Sequence, residues 1–429
     1  MRRYIPPINP LVKILTTCTK RQTKSGGVFY FILSVLSLVA GCKSTAPIET
    51  IAFKNNYKFS ADITERTEKD TVAWKYQLAA ADFATKGDYR KALEQWDMAI
   101  PGKFAPYTER EIDSLRSEYS VVPALKYIVE QAKSHQVILI NEAHHSSLHR
   151  VFTRSLLQEL YDKGYKNLGL EALTNGELKD NLLHSRKYPV METGHYTKDP
   201  QFGNLIRVAM EIGYNLFPYE TTERSNGKPR EIDQARNIQE AIKSRPNEKF
   251  LIHCGFGHVV EGEHDMWEKA MAGRLAEFTG MDPLTIDQVH YSEKSKPELS
   301  HPLLKAFNIA QPSVLLDQEN QPFRFERGKT WADIAVLHPF TSYIHERPSW
   351  LFENGNRPVD INLKEVDITF PVLVIAFKNG EKIAEAVPVD ILEVRAKTSP
   401  SYLALPKGKY EIVIVNKKEE ARKFELKVK

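Results

Sequence analysis

Hydrophobic and polar positions along this chain change rhythm twice, and each rhythm predicts a different kind of structure. From residue 64 to 130 apolar residues recur at helical spacing. Within that region Ala80, Ala81, Gly87, Tyr89, Ala92 and Ala99 are spaced like one tetratricopeptide helix pair, with no second copy. Such units need about three copies to stand alone, so this pair is expected to pack on its neighbour. From 131 to 350 short apolar runs alternate with amphipathic stretches. The runs 137–140, 167–170, 215–218, 249–252, 283–287 and 331–337 read as strands, and 230–242 and 266–278 read as helices. Near-continuous apolar strands separated by helices predict an α/β fold, an open and mostly parallel sheet with flanking helices. From 359 to 429 the pattern becomes alternating and turn-punctuated, with a hairpin signal at Lys378-Asn-Gly-Glu381, and predicts a small β-sandwich in immunoglobulin-like style.

Ahead of these regions, residues 28–40 form an apolar run behind Arg2, Arg3, Lys13, Lys20, Arg21 and Lys24. The run is shorter than the roughly 20 residues a spanning helix needs. It ends in Val39-Ala-Gly-Cys42, so 1–41 reads as a lipoprotein signal peptide and Cys42 as the lipidation site; an uncleaved anchor helix is the alternative. Residues 42–63 are polar and aperiodic, as a tether would be. This predicts a lipid-anchored protein of the bacterial cell envelope, at the outer membrane, with the membrane as a partner.

Cleavage also changes the charge. Removing six of the 59 basic residues, against 55 acidic ones, turns the formal charge from +4 to near −2. No basic cluster interleaved with aromatics occurs in the body, which argues against nucleic acid as a partner. Of three cysteines, Cys18 is in the leader, Cys42 would be acylated and Cys254 is left alone, so the mature chain can form no internal disulfide. Cys254 is expected to be buried rather than nucleophilic.

The chemistry gathers where strands end. The run 137–140 stops at Asn141 and Glu142 and passes through His144, His145 and His149 into a helix that Ser146 or Ser147 can cap. Glu171 follows the second run, Glu220 the third, and His253-Cys-Gly-Phe-Gly-His258 the fourth. Ligands of open α/β sheets bind beyond the carboxyl ends of the strands. The aperiodic stretch 174–201, with His184, His195 and Tyr196, is expected either to cover that site or to be a solvated surface loop. His338 and His345, after the last run, are expected at the rim.

Asn141-Glu-Ala-His-His, then Glu171, then Gly255-Phe-Gly-His258 resembles the superfamily of erythromycin esterases and haem-uptake lipoproteins, to which Tiki-type proteases are distantly related. The resemblance spans about residues 130 to 345, with Asn141 standing where the family has glycine. It implies hydrolysis of an ester or amide, of a small molecule or a peptide, with no covalent intermediate. Its catalytic candidates are Glu142, His144, His145, Glu171 and His258. The esterase branch spaces its motif to choose His145, whereas the haem-uptake branch chooses His144 and His149. The helix 230–242 resembles the family helix that begins Arg-Asp/Glu, which makes Arg230 and Arg236 candidates, Arg236 the preferred one; Arg236, His149 and His195 are the expected substrate-binding residues.

Two chemistries suit these residues. A carboxylate-oriented imidazole can activate water while a second histidine and an arginine steady the oxyanion. Alternatively Glu142, His144, Glu171 and His258 can hold a divalent transition metal such as zinc, manganese or iron. Binding without turnover competes with both: His144, His149, His195 or Tyr196 could ligate haem iron. A third class is an envelope scaffold that meets a protein partner through the helix pair or the sandwich.

Overall fold

The structure, a computed structural model, describes residues 47–223 and 225–429. The leader and Cys42 lie outside the described residues, and with them the signal-peptide and lipidation expectations. Among the described residues no helix is long and apolar enough to cross a membrane.

The α/β prediction holds. Six parallel strands form the central sheet, in the spatial order Ile334–Ala335, Leu284–Asp287, Val137–Glu142, Lys249–Gly255, Tyr165–Leu170, Asn215–Pro218. Alternate residues of one strand serve opposite cores. Ile138 and Ile140 pack with the helices Ser147–Asp162 and Pro200–Ile212, whereas Val137 and Leu139 pack with Lys228–Ser244 and Met271–Thr279. A strand covered on both faces has no polar side, which is why the run 137–140 is apolar throughout. Truncating Leu139, fully buried, to alanine would cost about 2–5 kcal/mol.

Some boundaries differ from the sequence reading. The expected strand 331–337 breaks at Asp333 into Thr330–Ala332, antiparallel to its neighbours, and Ile334–Ala335, which closes the sheet. Asp333 accepts hydrogen bonds from the Thr285 amide and hydroxyl, and this ties down the break. The expected helix 266–278 begins only at Met271.

The expected tether is corrected as well. Glu49–Ala52 is a strand, paired antiparallel with Glu420–Val428 at the edge of the C-terminal sheet, and a helix starts at Ser60. That sheet has five strands, and the pair Arg357–Asp360 and Tyr402–Leu405 covers one face to make the sandwich. Phe53, Tyr57 and Phe59, read as linker, cover the other face against Leu373, Ile375 and Val413. Asn379-Gly380 turns as expected, with Gly380 at φ 92°, but it opens a long loop rather than a tight hairpin, since pairing resumes only at Asp390 with Ala376. This loop reaches the α/β domain, where Arg207 grips Glu381 through two hydrogen bonds. The helix pair Lys75–Thr85 and Tyr89–Ala99 docks as expected, with Trp96 stacked on His145 at 4.0 Å.

Candidate active site

The strand Val137–Glu142 runs between two parallel neighbours and delivers Glu142 to the carboxyl edge of the sheet. Its carboxylate is 2 % exposed and would be costly to bury alone. Arg150, one turn into the next helix, answers it: Nε donates to Oε2 at 2.6 Å and Nη2 to Oε1 at 2.7 Å. Arg150 also reaches Asp199 at 3.0 Å, and Asp199 caps the helix Pro200–Ile212 by accepting from the amides of Gln201 and Phe202. Burial alone would raise the Glu142 pKa, but the Arg150 guanidinium and the hydrogen bonds outweigh it and hold the carboxyl well below its usual range.

Glu142 Oε1 lies 3.0 Å from Nδ1 of His144. The ring stacks on Tyr196 at 3.7 Å and meets Phe256 edge-on. Its Nε2 faces Gly255, where an added Cβ would sit 2.5 Å from His144 Cε1, 2.9 Å from Nε2 and 3.3 Å from a Glu171 oxygen. Glycine is required at 255 because imidazole and carboxylate both fill that space.

Opposite stands a second charged group. Glu171 accepts from the Gly255 amide at 2.5 Å and from Arg230 Nη2 at 2.6 Å. Burial would raise its pKa, but His258, His144 and Arg230 together lower it to about 2. Arg230 also donates through Nε and Nη2 to Glu220, and its Nη1 lies 2.9 Å from His258 Nε2. His258 Nδ1 in turn sits 2.8 Å from Glu231. Burial lowers the His258 pKa, yet Glu171 and Glu231 raise it more, so the net direction is up. Above that pKa the neutral ring carries Nδ1–H toward Glu231 and accepts from Arg230.

Both groups line one cavity of about 810 Å³, walled also by Leu173, Tyr196, Phe202 and His253. The stretch 174–201 thus covers the site in part: His195 and Tyr196 line the cavity, while His184 is tied to the Leu216 carbonyl outside it.

The structure brings Glu142, His144, Glu171, His195 and His258 together and moves three predicted residues away. His145 is buried against Trp96, so the Glu-x-His register places the ring in the cavity. His149 is fully buried and accepts from the Ala143 amide at 3.0 Å, which leaves it no route to a substrate. Arg236 is exposed, over Phe278; six residues is not a whole number of helical turns, and Arg230 holds the site position instead. At the expected rim, His338 is buried on Gln288 and His345 stacks on Tyr402, neither near the cavity. Cys254 is buried, and burial pushes its thiol well up.

Sequence reading missed Arg150, Asp199 and Glu231 as members and placed His253 at the strand ends without giving it a role. A cation among apolar residues in the helix after Glu142 was a usable signal for Arg150. Nothing local marks Asp199, 57 positions beyond Glu142.

A metal does not fit the four proposed donors. Guanidiniums already occupy Glu142 and Glu171 and would repel a dication, and His258 is bonded on both nitrogens. Among the described residues no group of three or more histidine, cysteine or acidic side chains is placed to hold one. Of the residues expected as haem ligands, His144, His195 and Tyr196 line the cavity and His149 does not.

Fold and site together define an α/β protein with a carboxylate-oriented histidine at the strand ends of its sheet. No family model matches the chain, and no curated protein does. Solved structures similar to parts of it include the type III effector HopBA1, 13 % identical over 42 % of this chain and 94 % of that one, at a TM-score of 0.30. Another is titled a bacterial protein toxin, 14 % identical over 51 % of this chain and 48 % of that one, at 0.31. A third is RRSP, a MARTX toxin effector domain from Vibrio vulnificus CMCP6, 16 % identical over 53 % and 47 %, at 0.29. The chain spans about half the length of the last two.

Proposed function

We propose that this protein hydrolyses an ester or amide bond, of a small molecule or a peptide, with His144 as the general base that activates water. The observation that carries this reading is the Glu142–His144 pair. Glu142, kept ionised by Arg150, holds Nδ1 at 3.0 Å, so the proton resides there and Nε2 keeps its lone pair, on a ring that lines the cavity. A water on Nε2 gives up its proton as its oxygen attacks the carbonyl. Glu142 steadies the imidazolium that forms, and Arg230, lining the same cavity, supplies positive charge for the oxyanion. The proton then passes from Nε2 to the leaving group. Glu171, Glu220 and His258 act through Arg230, as positioning residues.

His144→Ala tests the scheme more cleanly than removal of Glu142, which would strand Arg150 in the core. Against a panel of p-nitrophenyl esters and peptide amides, the variant should lose about 10²–10⁴-fold in kcat/KM with its urea midpoint unchanged. Turnover equal to that of the unmodified protein would overturn the assignment.

We further infer attachment to a bacterial envelope membrane through acylated Cys42, supported by the apolar run 28–40 and the Val39-Ala-Gly-Cys42 sequence. Labelling with an alkynyl fatty acid checks it: Cys42→Ser should abolish incorporation, and retained label would count against it.

A further inference from the structure

Among the described residues, four carboxylates line the cavity, Glu142, Glu171, Glu177 and Glu220, and one guanidinium, Arg230. Arg230 keeps one N–H, on Nη1, for a ligand: the other four go from Nε and Nη2 to Glu220, from Nη2 to Glu171, and from Nη1 to His258. Behind the wall the imbalance persists, since Arg150 is shared between Glu142 and Asp199 and His258 sits against Glu231. Glu177 differs from the other three acids. It is exposed on the turn Gly176–Leu178 at the cavity mouth and has no ion-pair partner among the described residues. Apolar walls such as Leu173 and Phe202 exclude water and focus the negative field inward.

His253 is an independent sign that a ligand is expected. It lines the cavity, is 1 % exposed, and its Nε2 has no hydrogen-bond partner, Glu142 being 3.7 Å away. Buried polar atoms of native proteins are rarely left unpaired. Burial lowers this ring to about 4, so at neutral pH it adds no positive charge to the wall.

We propose that the cavity selects substrates bearing a positive charge, with an amine or quaternary ammonium group on the Glu177 side and the scissile carbonyl at His144. For turnover this rests on the hydrolase reading; for binding it rests on the cavity alone. Arg230 spends four of its five N–H donors on Glu171, Glu220 and His258, so its charge is largely answered by the protein's own acids and the wall stays negative.

Three p-nitrophenyl esters of equal length, ending in trimethylammonium, tert-butyl or carboxylate, test it. The cationic ester should exceed the neutral one by about tenfold in kcat/KM, with the anionic ester about tenfold below neutral, and the spread should shrink at about 1 M sodium chloride. Glu177→Gln should cut the cationic-to-neutral ratio about threefold. Equal rates, or a faster anionic ester, would overturn the proposal and leave the hydrolase reading standing. If none of the three is turned over, calorimetry with the matching amides separates the two ideas. Tighter binding of the cationic amide keeps the charge selection and counts against the hydrolase; equal binding, or tighter binding of the anionic amide, overturns the selection.

Discussion

Buried ion pairs occur in two places in this molecule, and they do different things. Beneath the sandwich Arg207 meets Glu381, Arg347 meets Asp390 and Lys86 meets Glu393, every partner less than a tenth exposed. At the sheet edge Glu142 meets Arg150 in the bidentate geometry of Arg207 with Glu381. The pairs beneath the sandwich tie loops and strands together. Glu142 in addition holds an imidazole that lines a cavity. A buried salt bridge is therefore no sign of chemistry by itself; the titratable neighbour and the space beside it are.

The largest effects are expected from removing the arginines of the two regions. Arg150→Ala and Arg207→Ala each leave a carboxylate buried without its partner and should each cost about 3–5 kcal/mol in urea unfolding. Only Arg150→Ala should also remove turnover from the fraction that remains folded. If Arg207→Ala silences the site as strongly, the two sets of pairs are not separable.

Gly255→Ala comes next. The new methyl group would overlap the His144 ring and press on Glu171, so kcat should fall about 10²-fold while the chain still folds. Normal activity would mean that His144 need not sit where it does.

Acid titration sharpens the same contrast. Glu171 has its pKa depressed from 4.5 to about 2 in the folded state, so its contribution is fully present above 4.5 and is lost as pH falls toward 2. That window should carry about 3 kcal/mol of stability, absent in Glu171→Gln. Identical acid limbs for the two proteins would contradict the pairing with Arg230.

The smallest effect is expected at Arg236. Its exposed side chain should be replaceable by alanine within about 0.5 kcal/mol and with turnover changed less than about twofold. A larger loss there would restore Arg236 to the site in place of Arg230.

Much of this was legible in the residues. The run 137–140, and the runs 167–170, 215–218 and 249–252 after their polar first residues Asn167, Asn215 and Lys249, are apolar because each strand is covered on both faces, and that pattern announces a parallel sheet. A parallel sheet aligns its carboxyl ends, so Glu142, Glu171 and His258, which follow three different strands, had to share an edge. The tether was misread for a related reason. Glu49–Ala52 gains its partner from Glu420–Val428, more than 360 positions later, and no local pattern encodes such a distance.

What the sequence determined, then, was the class of fold, the edge of the sheet that carries the chemistry, and the residue types gathered there, all of which follow from local periodicity. Only the tertiary structure decided between His144 and His145, because adjacent side chains leaving a strand end point in different directions and the Trp96 helix claims one of them. It also decided between Arg230 and Arg236, and it recruited Arg150, Asp199 and Glu231. A buried charge needs its partner within hydrogen-bond reach, and reach is a property of the packed chain.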